Sequence, residues 1–186
     1  VALGVDFVSV ILTDFVGKSR WRRLQDTDPT DSREAMLSLT LRIVEEAISA
    51  NDDHGLRLLG IGLATPGTVN VDEGLLIFSP NLQWHNVPYR DIFEDRLSLP
   101  VFVDNDANAA ALAEHLFGVA RQAQNFLSIF AGVGIGGGLF LNGELYRGVG
   151  GFAGEIGHTN FMVEHYRRPC RCGDRGCWET SVAQDS

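Results

Sequence analysis

All three cysteines of the chain, Cys170, Cys172 and Cys177, lie close together near its end, and His158 and His165 precede them. Three thiolates and one imidazole form a closed tetrahedral ligand set for zinc. The glycines between the cysteines allow a tight loop that turns several sulfurs inward. The chemistry therefore favours a structural zinc site, with a disulfide or unligated cysteines as the alternatives.

A second group of polar residues, Asp104, Asn105 and Asp106, follows a short apolar run and precedes an alanine-rich segment. An acid at such a strand-to-helix junction is stabilised by free backbone amides, so Asp106 is interpreted in one way as a helix cap. In the other interpretation it faces a cleft at the carboxyl end of the strand, where α/β proteins bind their ligands. These residues alone leave both interpretations open.

The stretch Gly150–His158 (GGFAGEIGH) places four glycines around one acid, Glu155, and one imidazole, His158. Glycines at this density indicate a close approach of the backbone to a bound molecule. Carboxylate and imidazole groups are typical hydrogen-bonding partners of sugar hydroxyls.

The composition sets limits on the function. The 186 residues are 45% hydrophobic and 21% charged, which is typical of a globular protein with one domain or two small ones. No apolar run approaches the length of a membrane span. A net charge of −9 disfavours nucleic-acid binding. The one basic cluster, Lys18–Arg23, is explained by alternation in an exposed strand, so we expect no DNA contact from this chain.

Several elements must position these residues, and their order is that of an α/β protein. The predicted elements are a β-hairpin in residues 3–25 broken at Asp14–Gly17, a helix opening at Asp31 or Ser32, a buried strand at Leu56–Ala64, a hairpin turn at Asp72–Gly74, helices at Asp91–Leu97 and Asn105–Phe117, and strands at Val101–Val103 and Phe126–Phe130. The boundary between lobes is predicted near residues 118–125.

Four motifs together resemble the ROK family, which joins repressors and sugar kinases. They are DNDANAA at 104–110, GVGIGGG at 132–138, NGELYRGVGGFAGEIGH at 142–158 and CRCGDRGCWE at 170–179. The resemblance implies an α/β, actin-like and hexokinase-like (ribonuclease H-like) fold of two lobes. Residues 1–118 would form the N-terminal lobe, and residues 119–186 a partial C-terminal lobe that carries the zinc motif.

The resemblance also implies a set of site residues. The sugar hydroxyls would contact Gly67, Asn105, Asp106, Glu155, His158 and Glu179. The zinc ligands would be His158, Cys170, Cys172 and Cys177. Because the spacing from His158 to Cys170 is longer than expected for the family, His165 is the fallback ligand.

A kinase of this family would use Asp106 as the base and would bind ATP and magnesium through two phosphate turns. Gly134, Gly136 and Gly137 would belong to the second turn. In the first turn Phe7, Val8 and Ser9 stand where the kinases carry glycines, and their side chains would block a phosphate.

We therefore expect a sugar-binding effector domain of a ROK transcriptional regulator with a degenerate ATP site. The alternative is an ATP-dependent sugar kinase of the glucokinase or N-acetylhexosamine kinase type, and a third hypothesis is a pseudo-kinase that only scaffolds an oligomer. The regulator would be a cytoplasmic homodimer or higher oligomer without membrane contact. It would bind DNA only through an N-terminal domain outside this chain.

Overall fold

The computed structural model describes residues 1–52, 57–160 and 167–182. Backbone contacts group the chain into two compact units, Val1–Asn105 and Asp106–Ser186. The predicted boundary follows residue 118, whereas the contacts assign the helix that begins at Asp106 to the second unit. None of the described helices has both the length and the apolar character needed to cross a membrane.

The first unit is built on a five-stranded sheet that mixes antiparallel and parallel pairs. Its strands, in spatial order, are β3 (Ser19–Asp26), β2 (Phe7–Thr13), β1 (Ala2–Leu3), β4 (Ile61–Thr65) and β8 (Val101–Asn105). The pairs β3–β2 and β2–β1 are antiparallel, and the pairs β1–β4 and β4–β8 are parallel. Thr65 and Asn105, the last residues of β4 and β8, are therefore neighbours in the register.

The β2–β3 hairpin confirms the prediction for residues 3–25. Asp14 stabilises its turn, because its Oδ1 accepts hydrogen bonds from two backbone amides of the turn. Two basic side chains of β3 are paired with acids: Arg20 with Asp14 at 3.1 Å, and Arg23 with Glu46. The basic cluster is thus an exposed strand with local ion pairs.

Helix α1 (Arg33–Asp52) covers one face of this sheet. Ser32 caps it, because Ser32 Oγ accepts a hydrogen bond from the Ala35 amide at 3.2 Å. The apolar face of α1 is buried against strand residues, and the shared core includes Leu3, Val8, Val10, Met36, Ile43, Val44, Ala47, Leu63 and Val103.

Strand β4 begins at Ile61, later than the predicted start at Leu56, which itself lies outside the described residues. Its neighbour β8 begins only at Val101, and the Ile61 amide donates to the Pro100 carbonyl at 2.8 Å. Residues 57–60, the described residues just before Ile61, therefore have no strand to pair with on this side.

A small antiparallel sheet stands between β4 and β8 in the chain, followed by helix α2 (Tyr89–Leu97). Its strands are β5 (Thr68–Asn70), β6 (Leu75–Ser79) and β7 (Trp84–Pro88). Arg90 of α2 donates to the backbone carbonyls of Val71, Asp72 and Val101. One side chain thus ties the small sheet to the first residue of β8.

The second unit places helix α3 (Asp106–Leu116) on a three-stranded antiparallel sheet. The strands, in spatial order, are β11 (Glu144–Leu145), β10 (Ile135–Leu141) and β9 (Phe126–Ala131). Two 3-10 turns follow, at Val149–Gly151 and Ile156–His158, and a short helix α4 at Glu179–Val182. His115, Phe126 and Phe140 stack between α3 and the sheet.

Candidate functional site

The cysteine loop brings four predicted metal ligands together. The ligand atoms of His158, Cys170, Cys172 and Cys177 all lie within 4.8 Å of one another. His158 Nδ1 is 3.7 Å from Cys170 Sγ, and the Sγ atoms of Cys172 and Cys177 are 3.8 Å apart. Ligands arranged tetrahedrally around zinc at 2.0–2.3 Å stand about 3.5–3.8 Å from each other. The spacing therefore fits a tetrahedral zinc site.

The sulfurs are not paired with one another. All three cysteines are free, and a separation of 3.8 Å is far longer than the S–S bond of about 2.05 Å in a disulfide. The fallback ligand His165 lies outside the described residues. Within the described part of the chain, His158 is the histidine that completes the ligand set.

The local fold of the cysteine loop depends on two left-handed glycines, Gly173 (φ 99°) and Gly176 (φ 81°). The amide of Gly173 donates to the Cys170 carbonyl, and the amide of Cys170 donates to the Asp174 carbonyl. These turns direct the cysteine side chains to one side, as the glycine spacing predicted.

Without a cation the buried thiols favour their neutral forms. Burial, together with the neighbouring sulfurs of Cys170 and Cys172, raises the pKa of Cys177 to about 12. Burial likewise raises the pKa of Cys170. A divalent cation held by the sulfurs would stabilise their thiolate forms, which are the forms that bind metals.

His158 faces two groups at once. Its Nδ1 lies toward Cys170, and its Nε2 lies 3.8 Å from Glu155 Oε2. With Nδ1 on a metal, Nε2 would carry the proton and act as a hydrogen-bond donor. The imidazole can therefore serve the metal site and a polar ligand together.

Glu155 lies beside this imidazole, and the carboxylates of Asp106 and Glu179 lie near Glu155 in the second unit. Burial raises the pKa of Glu155, His158 lowers it, and the charges of Asp106 and Glu179 raise it again. These interactions require the three acids to lie near one another. The arrangement is rich in hydrogen-bond acceptors, which suits a ligand with several hydroxyl groups.

Asp106 is the first residue of α3, as both interpretations of the sequence required. Its Oδ1 accepts a hydrogen bond from the Ala107 amide at 2.8 Å, so the carboxylate does bind the helix start. Burial nevertheless raises its pKa, against the lowering effect of the backbone hydrogen bonds.

Glu179 bridges two parts of the second unit. Its Oε2 accepts a hydrogen bond from the Ile135 amide at 2.9 Å, and its Oε1 lies 3.9 Å from Cys170 Sγ. The contact with Ile135 was not predicted, because a backbone amide has no side-chain signature. The only sequence signal is the position of Ile135 directly after a glycine-rich turn.

The other two predicted sugar contacts belong to the first unit. Asn105 Nδ2 donates to the Gly67 carbonyl at 3.0 Å. Gly67 has a φ of 113°, and a Cβ there would lie 2.8 Å from Ser79 Cα. The structure thus places Gly67 and Asn105 side by side and explains why a glycine stands at position 67.

Two segments correspond to the expected phosphate turns. In the first, the Gly4 turn (Gly4–Phe7), the Gly4 amide donates to the Phe7 carbonyl at 2.8 Å, and the Phe7 ring covers Gly4. In the second, the Gly132 turn (Gly132–Gly134), the Gly132 amide donates to the Gly134 carbonyl at 2.9 Å. The predicted phosphate ligands Gly136 and Gly137 lie beyond that turn, inside strand β10.

A sequence model of the ROK family matches residues 1–186. The chain belongs to the ROK family. This confirms the resemblance found in the four sequence motifs.

Curated relatives in this family include repressors and kinases. The xylose repressor of Caldicellulosiruptor bescii is 35% identical over 184 residues, which cover 98% of this chain and 45% of the repressor. The glucokinase of Thermotoga maritima is 37% identical over 180 residues, which cover 96% of this chain and 55% of the kinase. The chain spans about half the length of these relatives.

Solved structures give the same picture. A ROK family transcriptional regulator, a homologue of the E. coli MLC protein, superposes with a TM-score of 0.84 at 29% identity, over 98% of this chain and 45% of the regulator. A ROK family glucokinase from Streptomyces griseus, in complex with glucose and AMPPNP, superposes with a TM-score of 0.85 at 30% identity, over 98% and 55%. These neighbours confirm the predicted actin-like, hexokinase-like fold class.

Proposed function

We propose that this chain is the sugar-binding part of a ROK transcriptional regulator and that it lacks a working ATP site. The observation that carries the proposal is the start of strand β2. Val8 is completely buried and pairs with Leu3 on one side and Gln25 on the other. Backbone groups committed to this ladder are not available to a phosphate, and a phosphate turn needs free amides.

The sugar would bind to the acceptor-rich group in the second unit. Asp106, Glu155 and Glu179 would accept hydrogen bonds from its hydroxyls, and His158 would donate one through Nε2. Gly67 and Asn105 of the first unit remain predicted contacts. The xylose repressor and the glucose-bound glucokinase among the relatives suggest the first sugars to test, D-xylose and D-glucose.

Zinc bound by His158, Cys170, Cys172 and Cys177 would have a structural role. It would fix the ring of His158 and so the direction in which Nε2 points. The zinc content of freshly purified protein tests this part of the proposal. A stoichiometric ion is expected, and a metal-free protein would contradict it.

Sugar binding would act on DNA indirectly. By linkage, a sugar that prefers one conformation of the regulator shifts the population toward it. DNA-reading helices outside this chain would then change their spacing on the operator.

The test measures sugar binding by calorimetric titration and by thermal shift, and it measures kinase activity on the same preparation. We expect D-xylose or D-glucose to raise the melting temperature, and Glu155→Gln to weaken the binding of that sugar. We expect no sugar-dependent release of ADP from ATP. Phosphorylation that disappears in Asp106→Asn would overturn the sensor and establish the kinase instead.

The kinase remains the second candidate because of one group. Asp106 is half-buried, and this burial raises its pKa, which suits a carboxylate that accepts a proton from a sugar hydroxyl. If no sugar in a broad panel raises the melting temperature, both candidates fail and the scaffold hypothesis gains.

A further inference from the structure

Strand β10 contains three consecutive glycines, Gly136, Gly137 and Gly138, in its interior. Glycine weakens a strand, because it has the largest conformational entropy to lose and no side chain to pack. A phosphate turn does not account for them, since all three pair with β9 in a regular antiparallel register. Their neighbours on the two faces of the strand supply another reason.

On one face, the glycines allow helix α3 to approach closely. A Cβ at Gly136 would lie 2.7 Å from the Cβ of Ala107, and a Cβ at Gly138 would overlap Ala111. Real Cβ atoms do not come this close, so a side chain at either position would push the helix away. Asp106 is the first residue of that helix and would move with it.

On the other face, β10 packs against the segment that carries Glu155 and His158. A Cβ at Gly137 would lie 2.7 Å from the Gly154 carbonyl oxygen and 3.0 Å from Ile156. This is a contact of backbone on backbone, which only glycine allows.

The contact is reciprocal. A Cβ at Gly154 would overlap the Gly137 carbonyl, and a Cβ at Gly157 would overlap the Ile135 carbonyl. The segment is thus held against β10 on both sides of Glu155.

The first residue of β10 completes the pattern. The Ile135 amide donates to Glu179 Oε2 at 2.9 Å. One strand therefore contacts the three parts of the second unit that supply the polar groups of the proposed site: the start of α3, the segment with Glu155 and His158, and Glu179.

We propose that Gly136, Gly137 and Gly138 are positioning residues for the sugar site, and that strand β10 sets the mutual distances of Asp106, Glu155, His158 and Glu179. The inference rests on the proposed sugar site for these four residues. It gives the glycine motif a purpose that does not require a nucleotide, so the motif fits a sensor as well as a kinase.

The main test introduces a steric clash between β10 and α3 and then removes it with a second substitution. Gly136→Ala in the full, zinc-loaded chain should weaken binding of D-xylose or D-glucose, whichever the wild type binds, by about tenfold or more, because site geometry must hold within about 0.5 Å. Adding Ala107→Gly removes the opposing methyl group and should restore the affinity. Because removal of the clash also restores stability, affinity is compared at a temperature where the melting curves show every variant to be folded, so that a role in stability only would leave the affinity of Gly136→Ala unchanged.

Gly132→Ala is the matched control within the same motif. A Cβ at Gly132 would meet only the Phe130 ring at 3.6 Å, an ordinary contact, so sugar affinity should not change. Equal sugar affinity in Gly136→Ala and in the wild type would overturn the proposal, as would a loss that Ala107→Gly fails to restore. If the wild type binds no sugar at all, the proposed function fails, and the metal measurement still tests the positioning.

Gly137→Ala provides that measurement. It should displace the segment of His158 and reduce zinc affinity in competition with a chromophoric chelator, whereas Gly136→Ala should leave zinc affinity unchanged. Unchanged zinc affinity in folded Gly137→Ala would overturn the role of Gly137.

Discussion

The Gly4 turn and the Gly132 turn are the two places where a kinase of this family would hold phosphates, and they differ in what surrounds them. At the Gly4 turn the chain runs directly into a ladder, with Val8 buried and paired on both sides. At the Gly132 turn the chain enters β10, whose glycines allow helix α3 and the segment with Glu155 to pack closely against the strand. The Gly4 turn is covered by a side chain, the Phe7 ring, and Val8 is buried in the core. The glycines of β10 instead lie against the small alanines of α3 and the backbone at Gly154.

The two turns therefore tolerate different residues. At positions 7–9 the first unit carries Phe, Val and Ser, and the buried Val8 adds to its core. In the second unit a residue larger than glycine at positions 136–138 would displace α3 or the segment with Glu155. The glycine motif of β10 does not by itself indicate a working nucleotide site.

The largest expected effect comes from replacing one of the four predicted metal ligands. This change should destabilise the Gly132 turn and leave the Gly4 turn unaffected. Cys177→Ser should lower the free energy of unfolding by more than about 4 kcal/mol, because structural zinc contributes about 10–16 kcal/mol in small zinc domains. Hydrogen exchange should then speed up in β10 and not in β2, since Glu179 connects Cys170 with Ile135.

Ser181→Ala is a control for this experiment, since Ser181 is an exposed residue of the adjoining short helix. It should leave zinc content and exchange rates as in the wild type. Equal acceleration in β2 and β10 on loss of zinc would contradict the contrast between the two turns.

A glycine at position 8 is the next test, because it recreates the composition of a phosphate turn. Val8→Gly should cost about 3 kcal/mol: about 2 from the lost apolar side chain and up to about 1 from the backbone entropy of glycine. AMPPNP should still not bind, because the amides stay in the ladder. Val8→Ala separates the two contributions by chemical denaturation.

Nucleotide binding gained by Val8→Gly would contradict the claim that strand pairing at the Gly4 turn prevents phosphate binding. It would mean that a side chain alone blocks the phosphate and that the strand pairing of β2 can be given up.

Asp106→Asn should stabilise the protein modestly. Burial raises the pKa of Asp106 in the folded state above its value in the unfolded chain, so the folded state favours the protonated form. Native stability is therefore lost as the pH rises from the unfolded pKa through the folded one.

At pH 7 the asparagine variant should consequently have the higher melting temperature, with a gain of about 1 kcal/mol at most, within the range of ordinary single substitutions. The difference should vanish below the unfolded pKa, near pH 3.9. A variant that is less stable than the wild type at pH 7 would show that the helix-cap role of Asp106 dominates.

The sequence predicted those parts of the molecule whose chemistry resides in side chains. The hairpin of β2 and β3 follows from alternation and the turn at Asp14. The spacing of the three cysteines indicated a metal site, and the resemblance to the family added His158, which the structure brings into the same cluster. The late start of β4 could not be predicted, because it depends on where β8 begins.

The role of the β10 glycines also could not be predicted from the sequence. Their neighbours Ala107, Gly154 and Ile156 are distant in sequence, and a close approach of two backbones leaves no pattern of hydrophobicity or charge. The sequence motif was therefore interpreted as a phosphate turn, and its close contacts with Ala107, Gly154 and Ile156 were not predicted. The hydrogen bond from Ile135 to Glu179 was missed for the same reason.

The smallest expected effect concerns the basic strand β3 of the first unit. Arg23 pairs with Glu46, and both side chains are more than a third exposed, so Arg23→Ala should cost about 0.5 kcal/mol or less. Arg22→Ala, on the opposite face of the same strand, is the matched control and should cost no more. Because the chain carries a net charge of −9, neither change should alter its binding to a DNA duplex, measured by fluorescence anisotropy at low salt. A wild-type affinity that falls in both variants would make β3 a DNA contact and would give the first unit a function that its packing does not require.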